Sequence, residues 1–166
     1  MTEGRARQGM EGASYRPRNL GLGELITVLV SEHAAMRAGL EKAKEAASRH
    51  DFRVVGFELR KLDPLFRQHI TDEESQVLRL LVGTIGKERA AEEIRVFQQH
   101  RPIFALMQKA SELATLSSDE LEAKQEELSA LFEEHALAEQ ARVFPKALSL
   151  AGGGSTEEVP FHDRKI

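Results

Sequence analysis

The chain has 166 residues, 41% of them hydrophobic and 30% charged, enough apolar content for the core of one domain with little room for a second. Its 23 basic and 27 acidic residues give a formal charge of −4, which speaks against a phosphate-backbone binder; aromatics are only 5%, with no Trp and one Tyr, which speaks against a platform for stacking bases. It has no Cys, which removes disulfides, thiolate zinc sites, Cys-ligated iron–sulfur clusters and thiol catalysis together.

Residues 1–19 are rich in Gly, Arg and Glu without a period. They read as a flexible arm whose arginines, Arg5, Arg7, Arg16 and Arg18, are expected to be solvated, contact with an acidic partner being the alternative. The longest apolar run, Leu25 to Val30, is too short to span a bilayer. Glu24 and Glu32 flank it and no small-residue cleavage site follows, so neither a signal peptide nor a membrane partner is expected and the default location is cytoplasmic.

From there the sequence is dominated by strong helix formers and carries four apolar stripes with steps of three and four. The first contains Leu22, Leu25, Leu29, His33, Met36 and Leu40; the second runs from Val55 through Phe66, His69, Glu73 and Val77 to Leu80. The third holds Ile94, Phe97, His100, Phe104 and Met107, and the fourth Leu121, Leu128, Leu131, His135, Glu139 and Val143. Turn signals separate them. Ser48 and Asp51 mark the first break, and Gly83 and Gly86 the second. The third is a capping-box pattern, with Ser117 as cap and Glu120 three residues on. Pro64, Pro102 and Pro145 fall inside the stripes and predict kinks. The expected fold is all-α: an antiparallel up-down-up-down four-helix bundle over residues 20–150. A flexible tail over 151–166 opens with Ala-Gly-Gly-Gly-Ser-Thr.

Four of the six histidines, His33, His69, His100 and His135, sit on the core-facing stripes, one per helix, while His50 lies in a turn and His162 in the tail. A buried imidazole needs partners for its ring nitrogens, and four together need a shared reason. In an antiparallel pair, residues equidistant from the turn lie at one height. The midpoints of successive stripe histidines fall at residue 51, between 84 and 85, and between 117 and 118, on the three turn signals. The four rings are therefore expected in one layer. Glu73 and Glu139 each follow a stripe histidine by four residues, which places them on the same helix face.

Four imidazoles and two carboxylates in an apolar layer suit Fe, Mn, Co or Zn, and the lack of thiolate disfavours Cu(I). Six ligands exceed the needs of one tetrahedral ion and predict two, the glutamates bridging along with an oxide or hydroxide. Met36 and Met107 read as packing residues. Glu32, Asp72, Glu74, Glu133 and Glu134 read mostly as a solvated face, with a minority bonding ligand imidazoles. Tyr15, in the arm, is expected away from the metals. A metal-free helical interaction module is the competing reading.

The ordered set of a His on helix one, His69-x-x-x-Glu73 on helix two, His100 on helix three and His135-x-x-x-Glu139 on helix four, followed by Val143-Phe144-Pro145, resembles the haemerythrin-like, or HHE cation-binding, family over about residues 22 to 150. The resemblance implies a non-haem di-iron centre held by His33, His69, Glu73, His100, His135 and Glu139. Oxygen-carrying haemerythrins have a fifth His where Phe104 stands and an Asp where Gln140 stands, so the ligand set is similar to the symmetrical four-His, two-Glu version. The resemblance further implies a ferrous pair that binds, senses or scavenges O2, NO or peroxide, or that stores or delivers iron to an accepting or redox partner protein. A peroxide- or NO-consuming oxidoreductase is the alternative.

Overall fold

The computed structural model describes residues 14–153; most of the arm, the tail beyond Gly153 and His162 lie outside the described residues. The described chain is helical, with no strand among its residues. Four rods carry it. The first is α1 (Leu22–Ser48). The second joins α2 (Phe52–Asp72), a π-helical segment (Glu73–Leu78) and α3 (Arg79–Arg89). The third is α4 (Ala91–Gln98) with α5 (His100–Thr115). The fourth joins α6 (Leu121–Ala138), a second π-helical segment (Glu139–Val143) and α7 (Phe144–Gly152).

The breaks follow local chemistry. Asp51 caps α2, its carboxylate accepting from Val54 N–H at 3.2 Å. Gly86 interrupts α3 with φ 80 and ψ 161, a conformation that costs glycine little, so the second rod ends there and the chain turns. At the third break Ser117 is not the N-cap its spacing predicts: it takes φ 50 and ends α5, while the Ser118 hydroxyl accepts from Glu120 N–H at 3.3 Å. The prolines also differ from expectation. Only Pro64 lies in a helix interior. Pro102 and Pro145 fall in the first turns of α5 and α7, directly after the junctions with α4 and with the second π-helical segment, where the helical hydrogen-bond register already changes.

Helix α1 packs against α2 and α6, α2 against α5, and α5 against α6, closing a ring. A Cβ on Gly39 would come within 2.8 Å of Leu62, so α1 and α2 touch closely there. Gly39 and Leu62, like His33 and His69, pair rising numbers on α1 with falling ones on α2. The core forms two apolar clusters. One, around Met36, Leu59, Phe66, Met107, Leu128 and Phe132, fills the end nearer the first and third breaks. The other, around Leu25, Leu29, Val77, Leu81, Val143 and Phe144, fills the opposite end. The four stripe histidines lie between them along each rod. None of the described helices is long and apolar enough to cross a membrane.

Candidate metal centre

The layer between the two clusters is built from six buried polar side chains. His33, His69, His135, Glu73 and Glu139 are fully shut off from solvent and His100 is 3% exposed. Helix periodicity delivers them: each histidine occupies a core position of its rod, and each glutamate is the first residue of a π-helical segment one turn on. Such segments recur at functional sites.

The ligand atoms sort into two groups, His33, His69, Glu73 and Glu139 in one and Glu73, His100, His135 and Glu139 in the other, each with its atoms within 4.8 Å of one another. Both carboxylates divide their oxygens between the groups. Glu73 turns Oε1 to His69 Nε2 at 3.0 Å and Oε2 to His100 Nε2 at 3.0 Å. Glu139 turns Oε2 to His33 Nε2 at 3.1 Å and Oε1 to His135 Nε2 at 3.1 Å. His33 and His69 face each other through Nε2 at 3.1 Å. The sequence left open which histidines go together; the fold pairs His33 with His69 and His100 with His135.

These atoms are close but poorly satisfied. All four carboxylate oxygens and the Nε2 atoms of His100 and His135 are buried without a hydrogen-bond partner, a costly state unless something else fills it. Donor atoms about 3 Å apart are what an ion with bonds of roughly 2.0–2.2 Å at near right angles produces. The outer ring nitrogens agree. His69 Nδ1–H donates to Glu32 at 2.9 Å, His100 Nδ1–H to Glu74 at 3.1 Å and His135 Nδ1–H to the Gln99 side-chain oxygen at 3.3 Å. Because these partners accept, the neutral rings carry the proton on Nδ1 and aim the Nε2 lone pair at the centre, as metal ligation requires. His33 Nδ1 has no partner among the described residues; its ring is wedged between Phe144, near parallel at 5.9 Å, and the edge of Phe132 at 6.0 Å. The donor set therefore fits two cations.

Without a cation the site is a network of opposed charges. Burial disfavours a charged His69 ring, but Glu73 and Glu32, joined by Glu139, outweigh it and push its pKa up to about 9. Burial acts the same way on His100, and Glu139, Glu73 and Glu74 hold it well above the usual histidine range. Burial would raise Glu139, yet His100, His135 and His33 keep it well below the usual carboxylate range.

The surroundings depart from the sequence reading at several points. Arg18 is not a solvated arm residue. Its guanidinium pairs with Glu32 and, at 3.2 Å, with Asp72; its backbone N–H donates to Asp72 at 2.7 Å, and its carbonyl accepts from Gln76 at 2.8 Å. Glu32 and Asp72, read mostly as solvated, are 8% and 0% exposed. Burial works against the Glu32 charge, but His69 and Arg18 overcome it and lower its pKa. Tyr15, expected away from the site, lines an opening with His100, Phe104 and Arg67. Gln99 was not anticipated, since nothing in the residue beside His100 marks it as the partner of His135. Glu133 pairs with Arg37 at the surface, and Met36 and Met107 are core residues, as expected.

Compared with protein-family models, curated proteins and solved structures, the chain matches none.

Proposed function

We propose that this chain is a haemerythrin-like protein, an antiparallel up-down-up-down four-helix bundle that holds two non-haem iron ions and binds a small oxidant or diatomic gas, O2, NO or peroxide, at them. The observation that carries the reading is the division of Glu73 and Glu139 between two histidine pairs. A carboxylate that merely balanced a buried histidine would not need to present each of its oxygens, otherwise unpartnered, to a different ring.

His33 and His69 would cap one ion and His100 and His135 the other, with both glutamates bridging. When bound, a ferrous pair supplies two electrons to one oxidant. The chain's own residues set the conditions. Glu32, Glu74 and Gln99 fix the ring orientations. Phe66, Phe132, Phe144 and Val77, each at most 2% exposed, keep bulk water from the layer and so strengthen every charge interaction inside it. Imidazoles that bind a cation do so in the neutral form, so two divalent ions held with two carboxylates would leave the centre with net positive charge, suited to a small anionic or polarisable guest.

Metal analysis with visible absorption on aerobically purified protein tests the proposal: about two iron ions per chain and oxo-bridge bands are expected. An anomalous X-ray signal at the iron edge inside the layer would fix identity, number and ligands together. A chain that takes up no metal would leave the helical interaction module as the better reading.

A further inference from the structure

Building on the two-metal reading, we infer that the two positions exchange unequally: the ion held by His100 and His135 enters and leaves first, through the opening beside Phe104, while the ion held by His33 and His69 is locked beneath a strap centred on Arg18.

The locked side is closed at three levels. His33 and His69 are both fully buried. The His33 ring is walled by Phe132 and Phe144. His69 is held by Glu32, itself buried and fixed by Arg18. Arg18 is in turn tied by its backbone to Asp72 and Gln76, and Arg16 by its carbonyl to Gln68. For the ion to leave this side, His69 must swing, which requires the strap to detach from α2 and from the residues following it.

The other side lacks that lock. His100 is the one ligand with measurable exposure and lines an opening of about 320 Å³ with Tyr15, Ile70, Thr71 and Phe104. Its Nδ1 partner, Glu74, is 51% exposed and has no cation holding it among the described residues. The partner of His135 is a neutral amide, Gln99, at 3.3 Å, which also reaches exposed Glu134 at 3.3 Å. A partner exposed to water, or uncharged and long, restrains a ligand ring less than a buried carboxylate clamped by a guanidinium.

The test is release of iron from the full chain. Protein loaded anaerobically with two equivalents of Fe(II) is mixed with excess bipyridyl and the coloured chelate is followed. Two phases of one equivalent each are expected, at least tenfold apart in rate. Arg18→Ala should speed the slow phase by roughly tenfold or more and change the fast phase, whose opening is lined by Tyr15 of the same segment, by clearly less; Thr71→Phe, which fills the opening, should slow the fast phase alone. If Arg18→Ala does not fold, Asp72→Ala removes the anchor of the same strap on α2. A single phase carrying both equivalents in the unaltered chain, or an Arg18→Ala effect confined to the fast phase, overturns the inference while the two-metal reading stands. Uptake of no iron, or of one equivalent only, overturns both.

Discussion

The metal-free chain should lose stability as pH rises through the range in which most proteins are steady. The perturbed group is His69, whose pKa in the fold is about 9 against 6.5 for an ordinary histidine. A raised pKa means that the folded chain holds the proton more tightly than the unfolded one. The resulting stabilisation is complete below pH 6.5 and is withdrawn as pH climbs through about 9. A difference of about 2.5 units corresponds to roughly 3 kcal/mol, a large share of the 5–15 kcal/mol typical of a domain. His100 is raised by the same carboxylates, so its share overlaps with that of His69 and does not add in full. Glu139 behaves in the opposite sense: its depressed pKa supplies stability above the ordinary carboxylate value that disappears as acid takes the pH down through the depressed one. Urea unfolding in EDTA at pH 6 and pH 9.5 measures the histidine effect. With metal present the slope should reverse between the same limits, because cations compete with protons for the imidazoles. A metal-free chain as stable at pH 9.5 as at pH 6 would refute the charge network described here.

Other expectations follow from single contacts. His69→Ala should lower metal content and thermal stability, while His50→Asn, at an exposed turn position with φ 56 that Asn tolerates, should change neither; metal analysis and melting curves decide. Phe132→Ala should cost about 3–5 kcal/mol in chemical unfolding, because the side chain is 2% exposed between the His33 ring and the apolar cluster around Met36, Leu59 and Leu128. Gly39→Ala should destabilise through its 2.8 Å approach to Leu62, and adding Leu62→Ala should recover part of the loss in a double-mutant cycle. Arg37→Ala, which removes a half-exposed ion pair with Glu133, should shift the unfolding free energy by less than about 1 kcal/mol.

Much of the layer was legible because helical periodicity is a strong signal and because each histidine keeps a core position. His33, His69, His100 and His135 could be placed at one height from chain midpoints alone, and the i,i+4 glutamates followed. The pairing of His33 with His69 was not legible, since it depends on how each rod is rotated about its axis. Neither were the π-helical segments starting at Glu73 and Glu139: a change in hydrogen-bond register leaves no mark on an apolar stripe. Arg18 was read as solvated because the arm has no period, and only tertiary contact reveals that Glu32, beside His33 in sequence, serves His69 instead. Ser117 shows how local pattern misleads: the spacing to Glu120 fits a cap, but the chain needed that residue to reverse direction.

The histidine layer divides the interior into two oily halves that meet across a seam of ionisable groups. Each half can stay dry and packed on its own, so cohesion between the ends of the molecule falls to whatever occupies the seam. A cation makes it a rivet; protons alone make it a latch that loosens in alkali. Amide hydrogen exchange should register the difference as one cooperative unit in the first state and two in the second.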